Sequence, residues 1–582
     1  MKKIFKKSGR NKQLKNVFQN VSTKAFDRSE NHFRVKFLSR LSNLNNVKWP
    51  VLRWFLLVVL LIIVAVLQMV WYDKAFKADS YISGGNYHEG SVGEIKTMNP
   101  LYATSTPEKI LSRLMFNGLV EADGAGGMSN ILAESIVRDG DGRIWTVKMK
   151  DGIKWSDGEK LTVDDVLFTA KLIQDSHTKS PLRSSLSSVD IKKVDKKTIS
   201  FELPSAYSAF VYSLDFPILP KHKLGKVEPG KLYEDNFSKN PVGSGAFMLK
   251  SMQVSGKNNV VYLNRNPNYY KTNTKLASFT LSTFETNEQL KSALKDNTIM
   301  GTGDLLDDED IKNRAIQKRS VALNGGVFAF FNTQSENLMK VEARRAIQQG
   351  LNIKQIRKEI EGNWPLDYPI LESQMEGLNY PKLIAYDKNT ATNTLKEIGL
   401  SGNKKGPVLK IATPARANLI KIANNIKKQL EGLGVNSEVV EGRKEKDKTD
   451  FFSNVVQSRN YDILVYEIDM GVDADPYPYY SSSQTGRMGV NLSNLKNAMI
   501  DDLLLSARST LDTELRKTKY DKFLSLWVEQ APAIGIYQSH MNYYHVKNAR
   551  IFDEDAVLSS ALDRYYDIND WGVERVKKNQ TP

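Results

Sequence analysis

An uncharged stretch near the start of the chain restricts its organisation more than any other feature. Residues 54–72 read WFLLVVLLIIVAVLQMVWY, nineteen residues in which Gln68 is the only strongly polar side chain. A helix needs about 20 mainly apolar residues to cross the hydrocarbon core of a bilayer. Trp and Tyr rings near both ends suit the membrane–water interfaces. The stretch therefore predicts one transmembrane helix at 54–72, which divides the chain into a tail and a large body.

Two other interpretations of this stretch are a buried core helix and a cleaved signal peptide. The apolar region of a signal peptide usually spans about 7–15 residues and precedes an A-x-A-like cleavage site. Here the apolar stretch is longer, and residues 73–80 read DKAFKADS, which places Phe76 at the −3 position relative to Ala78. We therefore favour an uncleaved anchor.

The formal net charge of +16 lies mostly in the first 53 residues. They hold fourteen Lys or Arg against Asp27 and Glu30, which leaves only +4 for the remaining 529 residues. The basicity belongs to the tail, so we expect no nucleic-acid partner for the body. Because Lys and Arg are enriched on the cytoplasmic side of membrane helices, residues 1–53 are predicted to be a cytoplasmic tail. The predicted protein is a single-pass protein of the cell membrane with residues 73–582 outside the cytoplasm.

The chain contains no cysteine. That excludes disulfides, thiolate metal sites and cysteine nucleophiles, and it excludes a lipid anchor on an N-terminal cysteine. Hydrophobic residues make up 41% and charged residues 25%, which are ordinary values for a folded globular protein.

The body alternates β-rich runs with helical patterns, which indicates an α/β fold. In the helical pattern at 418–434, Ile422, Ile426, Leu430 and Leu433 recur at helical spacing. Strands are predicted at 143–149, 259–264, 326–332 and 461–468, and further helices at 161–175, 341–351 and 499–511.

Motifs for catalysis and for metal binding are missing from the sequence. His540 and His545 are five residues apart, which does not place them on one helical face as in the zinc pattern H-E-x-x-H. No G-x-S-x-G nucleophile elbow and no phosphate-binding loop occur. The segment DGDG (139–142) lacks the further ligands of a calcium loop and predicts a turn between strands. We predict a protein that is not an enzyme, with no catalytic residues, no metal site and no cofactor.

The acid-rich segment 148–173 has a local explanation. Its two Asp-Gly pairs are turn signals, because Gly accepts positive φ and Asp bonds nearby backbone amides. Thr162 with Asp165 three residues later fits a variant of the capping box at a helix start. These carboxylates are predicted to shape the backbone and not to perform chemistry.

In its surroundings this segment resembles the family 5 extracellular solute-binding proteins, which are the oligopeptide-, dipeptide- and nickel-binding components of ABC importers. The resemblance runs in order over about 480 residues. Its elements include TMNPLY (97–102), FNGLVEAD (116–123), DGIKWSDGEKLTVDDVLFT (151–169), NPVGSGAF (240–247), FAFFNTQ (328–334), DADPYPYYSSSQ (473–484) and APAIGIYQ (531–538).

The resemblance implies a two-lobed periplasmic-binding-protein type II fold with an extra subdomain. The first lobe would cover 80–325 and regain the chain over 535–575, with the extra subdomain at about 116–215. The second lobe would cover 326–534. The hinge strands would lie near Asn332 and Tyr537, and the lobes would close around a ligand by hinge motion.

Peptide-binding members of the family pair the amino group of the ligand with an aspartate a few residues before a [DE]-P pair. The usual position falls here on Val472, and Asp469 and Asp473 flank it. Either acid is a candidate, and the alternative is that both only shape a loop. Tyr477 and Tyr479 are candidate cleft residues, with a packed aromatic cluster as the alternative.

The resemblance implies an extracytoplasmic protein that binds a peptide or another small solute and delivers it to ABC permease subunits. A nickel or metal-chelate ligand is the alternative within the family. From other classes, an extracytoplasmic hydrolase and a non-transport sensing or adhesion protein stay open.

Overall fold

The computed structural model describes residues 48–79, 84–271, 273–305, 311, 313–360, 364–403, 405–442 and 451–574. The chain forms two units, residues 1–80 and residues 81–582. The predicted basic tail lies outside the described residues as far as residue 47.

The N-terminal unit contains one helix, α1 (Lys48–Asp79), which includes the predicted span 54–72. Side chains are described here for residues 53–69, and nearly all of them are exposed. Searched over the described residues, the structure has no helix that is both long enough and apolar enough to cross a membrane. The transmembrane helix stays a prediction.

The body unit contains nineteen strands among its described residues. In chain order the first eleven are β1 (Asn86–Val92), β2 (Val120–Ala122), β3 (Met128–Asn130), β4 (Ala133–Arg138), β5 (Ile144–Met149), β6 (Asp190–Lys193), β7 (Thr198–Glu202), β8 (Phe247–Ser255), β9 (Asn258–Arg265), β10 (Ser278–Phe284) and β11 (Gly301–Thr302). The others are β12 (Ile316–Phe331), β13 (Trp364–Pro365), β14 (Val408–Thr413), β15 (Asn436–Glu441), β16 (Ile463–Asp469), β17 (Ala533–Val546), β18 (Ala549–Arg550) and β19 (Gly572–Val573).

Helices alternate with these strands. They are α2 (Thr106–Met115), α3 (Val163–Gln174), α4 (Arg183–Leu186), α5 (Lys221–Leu224), α6 (Asn287–Lys295), α7 (Val341–Gly350), α8 (Ile353–Lys358), α9 (Lys388–Glu397), α10 (Ala417–Glu431), α11 (Tyr477–Tyr480), α12 (Ala498–Ser509) and α13 (Thr513–Gln530). All strands and helices predicted above are confirmed. Their ends are displaced by a few residues, except that the strand predicted at 326–332 begins ten residues earlier, at Ile316 of β12. In α10, Ile422, Ile426 and Leu430 are fully buried, as their spacing predicts.

The largest sheet has eleven strands and joins the two predicted lobes. Its order is β15-β14-β16-β12-β17-β11-β1-β10-β9-β8, with β13 added beside β17. β12 and β17 pair antiparallel from Ile316 opposite Val546 to Phe330 opposite Ala533, with interruptions between these ends. The strands β8–β11 and β1 extend the sheet from one end of this ribbon, and β14–β16 extend it from the other.

The ribbon loses its regular pairing between Ala322 and Gly326. Within this break Asn324 accepts a hydrogen bond from the N–H of Met470 at 2.9 Å and donates its own N–H to the carbonyl of Leu558 at 3.2 Å. A side chain at Gly325 would lie 2.8 Å from the carbonyl oxygen of Ile468, so the close approach of β16 requires glycine. The predicted boundary between the lobes, at residues 325 and 326, falls within this break.

The hydrophobic cores separate at the same point. One core contains Val321 and Met541 and takes its other members from the first lobe. Two further cores cover the two faces of the second-lobe sheet and contain Val327 and Phe328. Among the described residues, no large apolar cluster crosses the break. The exact domain bounds stay predictions.

The segment 148–173 adopts the predicted local structure. It runs from the end of β5 through two turns, with Gly152 and Gly158 at positive φ, into α3. The carboxylate of Asp165 accepts the backbone N–H of Thr162 at 2.7 Å and the N–H of Lys221 at 2.9 Å. The capping function is confirmed, and it leaves this carboxylate engaged with backbone donors. DGDG (139–142) lies between β4 and β5, as predicted.

Candidate functional site

Asp469 ends β16 beside the break in the ribbon. It pairs with Gly325 of β12, at the point where the chain passes between the lobes. Its side chain is exposed to solvent, and its Oδ1 accepts only the N–H of Gly471, at 2.9 Å. Within the described part of the chain its carboxylate forms no ion pair.

Charges from the first lobe act on Asp469 across the cleft. Desolvation by surrounding protein raises the pKa of Asp469, and the charges of Asp563 and Glu467 raise it further. The hydrogen bond from the N–H of Gly471 and the charge of Lys109 oppose this shift. Asp563 and Lys109 belong to the predicted first lobe, and Asp469 itself lies opposite Gly325, at the predicted boundary between the lobes. The side chain thus reaches water but lies in a recess, where a carboxylate gains strongly from a cationic partner.

Glu467 lies two residues earlier on the same strand and has partners of its own. It forms an ion pair with Arg416, and its Oε1 accepts the hydroxyl of Ser539 at 2.5 Å. Of the two acids near the end of β16, Glu467 has a cationic partner and Asp469 has none in the part of the chain that the structure describes.

Asp473, the second predicted acid, is committed to an internal ion pair. Arg516 of α13 donates from Nη1 to Asp473 Oδ1 at 2.8 Å and from Nη2 to Oδ2, which is a bidentate pair. Both side chains are about 90% buried. Arg516 also donates to the carbonyl of Ala474 at 3.0 Å and to the hydroxyl of Tyr520 at 3.1 Å. This pairing favours a structural role for Asp473.

Tyr477 and Tyr479 both belong to the short helix α11. The hydroxyl of Tyr479 donates to the carbonyl of Asp469, and burial raises the pKa of Tyr479. Tyr477 shares a hydrogen bond of 2.9 Å with Ser483. Both rings therefore lie in the same loop as Asp469 and Asp473, residues 469–480, which we call the cleft loop. Their contact with a ligand stays a prediction.

A third acid of the cleft loop is paired in a way that sequence reasoning missed. Asp475 Oδ2 lies 2.9 Å from Nε of Arg508 on α12. The guanidinium of Arg508 lies between the rings of Tyr477 and Tyr207, with Cζ 4.5 Å and 4.6 Å from the ring centroids. Tyr207 follows β7 in the first lobe, so this group joins the two lobes. No local pattern in the sequence reveals a contact between positions so far apart.

The predicted hinge residues both lie on the second-lobe side of the break. Asn332 follows β12 and donates its amide to the carbonyls of Arg459 and Tyr461 at 3.1 and 3.0 Å. Tyr537 is buried in the second-lobe core and accepts a hydrogen bond from Asn418 at 2.7 Å. Their role as a hinge stays a prediction, and the irregular pairing at Ala322–Gly326 is the geometric alternative.

A cavity of about 520 Å³ lies away from these residues. Its lining includes Leu351, Arg357, Leu383 and Ile534, all in the second lobe, and none of the predicted site residues. The guanidinium of Arg357 donates hydrogen bonds to the carbonyls of Ile536 and Leu366, at 2.6 and 2.7 Å, and to the carboxylate of Asp367, at 2.7 Å. We therefore locate the candidate site at the cleft loop and not in this cavity.

Comparison with known proteins places this geometry in a family. Residues 127–489 match the family model described as bacterial extracellular solute-binding proteins, family 5 Middle. The chain is 27% identical over 493 residues to the oligopeptide-binding protein AppA of Bacillus subtilis (strain 168), which covers 79% of this chain and 87% of the relative.

Solved structures share the fold. The structure of AppA from Bacillus subtilis in complex with a nonapeptide superposes with a TM-score of 0.67 at 22% identity, over 85% of this chain and 100% of that protein. The structure of NikZ from Campylobacter jejuni in complex with Ni(L-His) superposes with a TM-score of 0.68 at 19% identity, over 84% and 99%. The predicted α/β fold of the periplasmic-binding-protein type is confirmed.

Proposed function

This chain belongs to the bacterial extracellular solute-binding proteins of family 5, and we propose that it captures peptides outside the cytoplasm and delivers them to an ABC-type permease. One observation carries the peptide assignment. The Asp469 carboxylate ends β16 opposite Gly325, at the predicted boundary between the lobes, and has no cationic partner among the described residues. A charge-assisted bond to a ligand ammonium would supply the missing cation, and such bonds are about twice as strong as neutral ones.

We assign the ammonium contact to Asp469 and not to Asp473. Asp473 already holds a bidentate ion pair with Arg516, so a ligand would have to break that pair to reach it. Asp469 needs no such rearrangement. The relative AppA is an oligopeptide-binding protein, which supports an oligopeptide as the ligand of this chain.

The first test is the identity of the natural ligand. The full chain is purified in mild detergent from cells and analysed by native mass spectrometry. We expect bound peptides of unaltered sequence, since the proposal contains no catalysis. Peptides that shorten during incubation would instead support the hydrolase alternative. A preference for Ni(L-His) over peptides in calorimetry would support the metal-chelate alternative.

The second test addresses the ammonium directly. Calorimetry compares one peptide with a free amino terminus and the same peptide with an acetylated terminus. Wild-type protein should bind the free form more tightly by about 10- to 100-fold, the range of a hydrogen bond to a charged group. Asp469→Asn should lose most of this difference, and Asp502→Asn, an exposed acid on α12, should retain it. Equal discrimination in Asp469→Asn and wild type would exclude Asp469 as the contact.

We further propose that residues 54–72 anchor the protein in the cell membrane with residues 1–53 in the cytoplasm. The uncharged nineteen-residue stretch and the basic tail before it support this orientation. Because the chain has no cysteine, single cysteines can report topology. A membrane-impermeant maleimide should label Lys257→Cys in intact cells and label Lys24→Cys only after lysis. Labelling of Lys24→Cys from outside would overturn the orientation.

A further inference from the structure

Two arginines, Arg508 and Arg516, form ion pairs with acids of the cleft loop, and they differ in their other contacts. Arg516 pairs with Asp473, and its other hydrogen bonds go to Ala474 and Tyr520, all in the second lobe. Arg508 pairs with Asp475 and also contacts the first lobe. The pair of arginines therefore offers a matched comparison within one loop.

The contact of Arg508 with the first lobe has three parts. Its guanidinium stacks on the ring of Tyr207 at 4.6 Å. Its backbone carbonyl accepts the N–H of Ser208 at 2.9 Å. The hydroxyl of Tyr207 donates a weak hydrogen bond of 3.4 Å to Asp475. A cation held between two aromatic rings and a carboxylate is well partnered, because the face of each ring attracts the positive charge.

The two sides of this contact are anchored in different cores. Phe210, three residues after Tyr207, is buried in the first-lobe core. Leu504 and Ala507, on the same helix as Arg508, are buried in a second-lobe core. Separation of the lobes would therefore pull Tyr207 away from Arg508, because neither side can follow the other without leaving its own core.

We propose that Arg508 is a positioning residue of the ligand site that couples the shape of the cleft loop to closure of the lobes. When the lobes close, Tyr207 completes the stack on Arg508. Arg508 then fixes Asp475 and Tyr477, and so the loop that carries Asp469. When they open, the loop keeps its hydrogen bonds to Arg516 and Gln374, but Arg508 loses the ring of Tyr207 that holds it in place. The ligand consequence rests on the proposed function, and the interlobe contact does not.

The interlobe contact is tested without any ligand. The full chain is labelled at two exposed positions, Lys196 in the turn between β6 and β7 and Lys396 on α9. Because the chain has no cysteine of its own, Lys196→Cys and Lys396→Cys supply the only two thiols. Spin labels at these positions report the distance between the extra subdomain and the second lobe. Arg508→Met should shift the distribution towards longer distances, whereas Arg516→Met should leave it as in wild type. An unchanged distribution in Arg508→Met would overturn the proposal.

Coupling between the residues gives a second measure. Tyr207→Ala and Arg508→Met should be non-additive in their effect on the distance distribution, because each removes the same contact. Tyr207→Ala and Arg516→Met should be additive. Arg508→Lys retains a cation for the ring and the carboxylate, so it should restore part of the closed population. Additive effects of Tyr207→Ala and Arg508→Met would contradict the proposed contact between these two residues.

Peptide kinetics connect the contact to the site. With a natural peptide identified as above, Arg508→Met should increase the dissociation rate by about 5- to 30-fold, with a smaller change in the association rate. If wild-type protein binds no peptide, the proposed function fails while the distance measurement still decides the interlobe contact. If peptides bind and Arg508→Met dissociates as wild type does, the positioning role fails alone.

Discussion

Two acids of the body, Glu89 and Asp469, lie in contrasting environments. Glu89 forms an ion pair with Arg564 in the first lobe, and Asp469 lies at the cleft. Glu89 is fully buried, and it accepts hydrogen bonds from Arg564 at 2.6 Å and from the hydroxyl of Tyr565 at 2.9 Å. Asp469 reaches solvent and accepts one backbone N–H. The first acid is part of the fold, since all its partners are built in. The second is open to a partner that the described chain does not supply.

The largest expected effect tests the built-in side of this comparison. Glu89→Ala leaves the guanidinium of Arg564 buried beside a cavity, and loss of one partner of a buried pair costs about 3–5 kcal/mol. Urea denaturation of the full chain should show this loss in the free energy of unfolding, while Glu438→Ala, an exposed strand position, should change little. A loss below about 1 kcal/mol would show that Glu89 and Arg564 are not a structural pair.

Asp473→Ala tests whether an acid of the cleft loop can be part of the fold as well. The substitution removes two charge-assisted hydrogen bonds from Arg516, so we expect a loss of about 1.5–3 kcal/mol in the free energy of unfolding. The same denaturation experiment measures it. Stability equal to that of wild type would return Asp473 to the candidates for ligand contact.

Asp469→Asn should change the free energy of unfolding of the ligand-free protein in the opposite direction. Desolvation raises the pKa of Asp469, which means that the folded state disfavours its charged form. Removing the charge should therefore leave stability unchanged or increase it by up to roughly 1 kcal/mol, a small value because water screens an exposed group. A clear loss of stability would indicate a structural partner for Asp469 and would remove the contrast with Glu89.

The smallest effect is the pH dependence of that stability gain. An acid whose pKa is raised on folding binds its proton more tightly in the folded state, so its destabilising effect is present at neutral pH. That effect disappears as the pH falls through the raised pKa towards the unfolded value near 4. The stability difference between Asp469→Asn and wild type should shrink over this range, measured by thermal unfolding at several pH values. A difference that grows as the pH falls would contradict the raised pKa.

Local features of the sequence predicted local structure well. Spacing alone identified α10, and a four-residue pattern identified the cap at Thr162 and Asp165. These predictions succeed because helix periodicity and capping depend on residues within one or two turns of each other. The predicted strand at 461–468 is likewise present as β16.

The candidate site was only partly predictable. The sequence narrowed the ligand contact to Asp469 or Asp473, which are four residues apart and similar in context. Their difference depends on Arg516, forty-three residues after Asp473. The contact of Arg508 with Tyr207 was not predicted for the same reason, because the two residues are far apart in the sequence and belong to different lobes.

The sequence by itself determined the elements of the body, the resemblance in motif order that identified the family, and the apolar stretch with its basic tail. Those features follow from neighbours along the chain. Only the tertiary structure decided which acids of the cleft loop are paired and which one is open, and that Arg508 joins the lobes. Ion pairs form between side chains that the fold brings within a few ångströms, and the distance along the chain carries no information about that approach.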